Sequence, residues 1–191
     1  YLGRAAPTKA NLVINTKKIT SPLFYNWQAL AQGGEEQGVR MLANVIPQLK
    51  ELSPRYVRLD HIYDSYNLVS RDGGQLVFNF TQLDQTVCDI YATGAKPFLA
   101  LSYTPAVMSA DGTTIGRPSN WNEWSFLVQK TIERYSGRNT VLCGGVVSGD
   151  KLSDTYYEVW NEPDLFGKWS LYGGDKDYKT LYYYSSLGAQ R

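Results

Sequence analysis

The sequence predicts an α/β fold in which a strand and a helix alternate four times. Three observations carry that expectation. Four runs have the length and composition of strands, at Ser21–Trp27, Tyr56–His61, Lys96–Ser102 and Thr155–Trp160. Longer stretches with apolar residues at helical spacing follow them. Glycine or proline punctuates the joins, as at Gly33-Gly34, Ser53-Pro54 and Gly94. Such alternation points to a parallel sheet covered by helices.

The first twenty residues are irregular in pattern, with Asn11–Asn15 as a short edge strand. Ser21–Trp27 follows a turn signal and reads as the first strand, with Asn26 and Trp27 at its carboxyl end. From Glu35 to Leu52, Val39, Leu42, Val45, Ile46, Leu49 and Leu52 recur at helical spacing. Pro47 falls inside that pattern. An interior proline costs a helix about 3 kcal/mol, so a kink or two shorter helices are expected there.

In Tyr56–His61, Val57 and Leu59 alternate with Arg58 and Asp60, a period of two. Arginine and aspartate on one strand face are costly to bury unless paired, which places them at the polar end of a sheet. Leu68–Phe80 reads as a hairpin turning on Arg71-Asp72-Gly73-Gly74. Asn79-Phe80-Thr81 matches a glycosylation sequon, a three-residue pattern of low specificity.

Thr81 with Asp84 resembles an acidic variant of the capping box. Leu83, Val87, Ile90 and Tyr91 form the apolar stripe of that helix, Cys88 fills core, and Gly94 stops it. Lys96–Ser102 is nearly continuous apolar sequence, as in a strand buried on both faces. Ser102, Tyr103 and Thr104 would lie at its carboxyl end. After a loop, Asn120 and Glu123 mark another helix start. Trp121, Trp124, Leu127, Val128, Ile132 and Tyr135 make one broad apolar face, so Trp124 belongs to the core. Gly137 ends that helix, and 138–154 reads as a loop rich in glycine and serine. A last helix over 175–190 runs through Tyr178, Leu181, Tyr182 and Leu187.

Thr155-Tyr156-Tyr157-Glu158-Val159-Trp160-Asn161-Glu162-Pro163-Asp164 carries the chemistry. Aromatic and β-branched residues make it a strand. A residue before proline is pushed toward extended backbone, so Glu162 is expected extended at the strand's carboxyl end. In parallel α/β folds that end is where sites are built. Trp160 and Tyr157 would wall the carboxyl, and burial or a neighbouring negative charge would raise its pKa.

Trp160-Asn161-Glu162-Pro163 resembles the acid/base motif of the glycoside hydrolase clan built on (β/α)₈ barrels, and its surroundings resemble family 39. The resemblance implies that residues 1–191 form the N-terminal half of a catalytic barrel, roughly its first four βα units. A complete barrel needs about 250 residues, and the chain begins at Tyr1. It further implies a retaining glycosidase acting on β-linked oligo- or polysaccharides. Glu162 would be the general acid/base and Asn161 the group on the sugar 2-hydroxyl. Arg58 matches the clan arginine near the end of strand two that supports the nucleophile. The nucleophile itself belongs to strand seven, beyond these four units. Family 39 often has a histidine soon after that arginine. The order here, Arg58-Leu59-Asp60-His61, departs from the pattern and leaves the roles of Asp60 and His61 open. Trp27, Tyr103 and Trp160 complete the candidate substrate contacts. The alternative is a non-catalytic carbohydrate-binding or interaction module on the same fold. Open sheet edges would allow its self-association.

Composition narrows the rest. Net charge is +1 and the longest basic run is Lys17-Lys18, which disfavours nucleic acid. No apolar run reaches the ~18 residues of a membrane span. Two cysteines, Cys88 and Cys143, and one histidine lack zinc-site spacing, and a disulfide between them is possible without being indicated. No cofactor is implied. A polysaccharide substrate leans localisation toward secretion or the cell envelope.

Overall fold

The computed structural model describes residues 9–21, 28–32, 38–136, 140–147 and 155–191. In chain order the elements are β1 (Ala29–Gln32), α1 (Ile46–Leu52), β2 (Tyr56–Leu59), β3 (Val69–Asp72), β4 (Gln75–Phe78), α2 (Thr81–Thr93) and β5 (Lys96–Leu101). They continue with α3 (Trp121–Ser136), β6 (Thr140–Leu142), β7 (Gly145–Val147), β8 (Tyr156–Val159) and α4 (Tyr178–Ala189). The main sheet has the order β1-β2-β5-β8, and each neighbouring pair is parallel. Sequential parallel strands joined through helices are the repeating unit of a (β/α)₈ barrel. Four such units are present among the described residues.

One face of the sheet packs on the helices. Val57, Leu59, Leu99 and Leu101 point there and are buried, against Leu83, Val87 and Ile90 of α2 and Trp124, Leu127 and Val128 of α3. Each such side chain contributes about 1.5–3 kcal/mol on burial. Trp124 has no exposed surface, and its Nε1 donates to Ser185 Oγ on α4 at 2.9 Å. Gly188 brings α4 close to α3: a Cβ there would stand 2.3 Å from the Ser125 carbonyl oxygen. Asp84 ties α2 to α3, accepting from Arg134 Nε at 2.7 Å and from the buried Tyr135 hydroxyl at 2.8 Å.

The other face, which would line a barrel interior, carries Tyr56, Arg58, Phe98, Tyr156 and Glu158. Period-two alternation sets this division. Tyr156 stacks on Phe98 at 5.8 Å and meets Tyr56 edge-on at 5.2 Å.

Several elements differ from the sequence reading. Among the described residues the first strand is Ala29–Gln32, in register with Tyr56–Leu59. Residues 22–27, with Asn26 and Trp27, lie outside the described residues, as does Gly137. Asn11–Asn15 is irregular and exposed, and pairs with no strand among the described residues. Pro47 causes no kink, because α1 starts there: proline sits in the first turn, where its missing N–H is not needed. At the α2 start Phe80 is the N-cap and makes no side-chain cap; Asn79 before it accepts from Thr81 N at 3.1 Å, and Asp84 is engaged by α3. The expected loop at 138–154 contains an antiparallel hairpin, β6–β7. Its two-residue turn, Cys143-Gly144, has φ of 54° and 78°, the left-handed pair that tight hairpins require. Cys143 is bonded to Cys88, pinning the hairpin to α2. The β3–β4 hairpin, the Asn120 cap and the Gly94 stop stand as the sequence predicts.

Candidate active site

The parallel strands β2, β5 and β8 end side by side, so the residues after them converge. These are Asp60 and His61, Ser102 and Tyr103, and Trp160, Asn161 and Glu162.

β8 does not run on to Glu162. The chain leaves the strand after Val159, and Trp160 and Glu162 both take positive φ, 68° and 43°. Such conformations cost a non-glycine residue about 1–3 kcal/mol and persist where surrounding bonds fix them. Here the fixing bonds are explicit. The Glu162 carbonyl accepts from Leu165 N at 2.9 Å and Phe166 N at 2.8 Å, and the Pro163 carbonyl accepts from Trp169 N at 2.8 Å. Trp160 Nε1 donates to the Phe166 carbonyl at 2.7 Å. Local proline sterics favour an extended Glu162, and the closed turn overrides them.

Asn161 is the fixed member of the motif. Its Oδ1 accepts from Arg58 Nη2 at 3.0 Å, and its Nδ2 donates to the Tyr103 hydroxyl at 2.8 Å. One Nδ2 proton and one Oδ1 lone pair remain for a ligand. Arg58 Nε donates to Glu158 Oε2 at 2.6 Å. Register explains how they meet: Glu158 pairs with Ala100, a side chain small enough for an arginine to cross. Burial acts to lower the Arg58 pKa, but the hydrogen bond and charge of Glu158, with the charge of Asp60, hold it above its ordinary value.

Tyr103 is 1% exposed. Burial, and then the charges of Asp60, Asp64 and Glu162, push its phenol up to about 12, against the hydrogen bond from Asn161. It therefore stays a neutral hydroxyl. Asp60 is buried and accepts from Ser102 Oγ at 2.5 Å and His61 N at 2.8 Å. His61 Nδ1 lies 2.9 Å from Asp64 Oδ2, with its ring edge-on to Tyr103 at 4.6 Å. Asp64 also accepts from Tyr103 N at 3.2 Å.

Glu162 is exposed at the rim of this cluster. Trp160 is fully buried beneath it, packed on Tyr103 at 4.9 Å and Trp169 at 5.1 Å. Tyr157 faces the other way: its hydroxyl is 2.7 Å from Ser136 Oγ on α3, so it forms no wall for Glu162. Of the sequence candidates, Arg58, Asp60, His61, Tyr103, Trp160, Asn161 and Glu162 come together, and Trp27 lies outside the described residues. Two participants had no assigned role in the sequence reading. Glu158 could have been found by parity, since it shares a face with Arg58 once the strands are aligned. Phe166 carries no sequence signal, because its position depends on the turn. Among the described residues no cluster of histidine, cysteine and acidic side chains is arranged to hold a metal.

Fold and site together define the class: a barrel-type α/β protein with its polar and acidic groups gathered at the carboxyl ends of parallel strands. The chain belongs to the glycosyl hydrolases family 39, whose family model matches residues 13–190. A β-xylosidase from Caldicellulosiruptor saccharolyticus is 28% identical over 155 residues, covering 74% of this chain and 29% of the relative. A β-xylosidase from Geobacillus stearothermophilus is 25% identical over 173 residues, covering 82% and 32%. The chain thus spans about a third of the length of these curated relatives. Two crystal structures share the fold. A monomeric β-xylosidase from Caulobacter crescentus CB15 superposes with TM-score 0.64 at 23% identity, covering 92% of this chain and 36% of that one. A family 39 enzyme from Xanthomonas axonopodis pv. citri gives 0.61 at 22%, covering 85% and 32%.

Proposed function

We propose that these residues form the acid/base half of a retaining glycosidase site acting on β-linked oligo- or polysaccharides. Glu162 protonates the departing glycosidic oxygen, then as carboxylate deprotonates the water that releases the sugar from its covalent intermediate. Asn161 holds the 2-hydroxyl, whose hydrogen bonds strengthen in the transition state. The nucleophilic carboxylate belongs to strand seven of the barrel, outside the four units described. The relatives named β-xylosidase make xylobiose the first substrate to try.

The observation that supports this reading is the double tether of Asn161 between Arg58 and Tyr103. It presents a preorganised amide one residue before an exposed carboxyl, at the mouth of a parallel sheet. The Cys88–Cys143 disulfide supports placement in an oxidising compartment, where such a substrate is met.

The test is kinetic, on the intact protein. Glu162→Ala should abolish turnover of xylobiose yet leave measurable turnover of 2,4-dinitrophenyl β-xyloside, whose leaving group needs no proton. Azide should accelerate the latter by taking the place of the deprotonated water. Unchanged xylobiose turnover would remove Glu162 from the mechanism.

A further inference from the structure

Phe166 is one of several apolar residues exposed on the loop after β8, with Leu165, Leu171 and Tyr172. It is 38% exposed, four residues after Glu162. Its backbone is tied on both sides of the motif: N donates to the Glu162 carbonyl at 2.8 Å, and its carbonyl accepts from Trp160 Nε1 at 2.7 Å. The ring rests on Tyr103, centroids 5.7 Å apart and planes tilted by 52°, and Tyr103 in turn holds Asn161. The ring is therefore fixed relative to both Asn161 and Glu162 by bonds that do not involve its own outer face.

We propose that Phe166 is a specificity-determining residue, the apolar wall against which the leaving-group ring of a β-glycoside stacks. This rests on the glycosidase reading of Glu162 and Asn161. Three features place it on the leaving-group side. Asn161 and Arg58 lie inward, toward the barrel interior, where the cleaved sugar must sit to reach the 2-hydroxyl contact. Phe166 lies on the loop that follows Glu162, beyond the carboxyl end of β8. The proton from Glu162 goes to the oxygen between those two positions. A rigid aromatic face offers contact to the apolar C–H face of a pyranose, or to an aryl ring, at low cost in conformational entropy. The ligand class is thus a β-glycoside with a cyclic leaving group.

The experiment compares three substrates in the intact protein: xylobiose, 2,4-dinitrophenyl β-xyloside and β-xylosyl fluoride. The first two have a ring to stack and the third has none. The first needs a proton from Glu162 and the other two do not. F166A should lower kcat/KM for xylobiose and for the dinitrophenyl substrate by about threefold to tenfold, the range of a lost ring–ring contact. It should leave the fluoride within twofold. F166Y, which keeps a ring, should restore both. Loss on xylobiose alone would mean that Phe166 acts through the Glu162 proton, and a uniform loss on all three would mean a disturbed fold; either result overturns the proposal, as does no loss at all. Calorimetric titration with xylobiose, in the Glu162→Ala background that does not turn it over, supplies a readout independent of turnover. Weaker binding when F166A is added to that background supports the wall, and equal binding refutes it. A protein that binds xylobiose through Phe166 but hydrolyses none of the substrates would strike the glycosidase reading and leave the wall standing.

Discussion

Arg58 Nη2 donates to Asn161 Oδ1 at 3.0 Å across 103 residues of sequence, joining the second strand of the sheet to the loop after the fourth. The same guanidinium holds Glu158 through Nε. One planar, permanently charged group thus sets the distance between an interior carboxylate and the motif amide. It follows that the site's geometry depends on a fork, and that charge alone will not replace it.

Arg58→Lys tests this. An ammonium is a compact point donor and cannot reproduce two directed bonds from one rigid plane. We expect kcat/KM for xylobiose to fall on the order of tenfold to a hundredfold, the scale of a small displacement in a reacting geometry. The far-ultraviolet circular dichroism should be unchanged. Activity within twofold of the unsubstituted protein would show that Arg58 does not orient Asn161.

The disulfide acts on a different quantity. Cys88 and Cys143 are 55 residues apart, and their bond closes a loop containing β5, α3 and the first strand of the β6–β7 hairpin. Closing such a loop restricts the unfolded chain, so Cys88→Ser with Cys143→Ser should lower stability by about 2–4 kcal/mol. The hairpin lies in the connection leading into the amino end of β8, away from the converging carboxyl ends. Turnover at temperatures where the variant stays folded should therefore be unaffected. Urea titration with and without reductant measures the first effect, and steady-state kinetics the second. Equal midpoints in both titrations would contradict it.

Alkaline behaviour follows from the tyrosines. Tyr63, Tyr135 and Tyr157 have phenols raised by burial, and Tyr103 is pushed up to about 12 by burial and then by neighbouring carboxylates. A free phenol titrates near pH ~10. Folded pKa values above the unfolded value mean that the native state keeps protons the unfolded chain gives up. Their contribution is complete below about pH 10 and is lost as pH rises through the folded values, for Tyr103 between about 10 and 12. Stability should fall steeply above about pH 10, and phenolate absorbance from the buried set should appear together with loss of circular dichroism. Full ionisation of all tyrosines with the fold intact would refute this.

The alternation of strands and helices, the β3–β4 hairpin, the Asn120 cap and the burial of Trp124 were all legible in the sequence, because each follows from spacing within a single element. The first strand was not. Ala29–Gln32 has little strand character of its own, and pairing with Tyr56–Leu59 makes it a strand. Pro47 shows the same limit: the pattern around it is helical on both sides, and only the packed chain decides that the helix begins there.

At the site, sequence alone determined which residue types gather at the strand ends, since short-range pattern fixes where β2, β5 and β8 stop. Tertiary structure decided how they are aimed. The turn from Trp160 to Trp169 is closed by bonds among its own backbone and the Trp160 indole, which outweigh the local preference of a residue before proline and turn Glu162 out of the strand direction. The pairing of Arg58 with both Glu158 and Asn161 depends on strand register, a cooperative property of three strands that no single stretch of sequence contains.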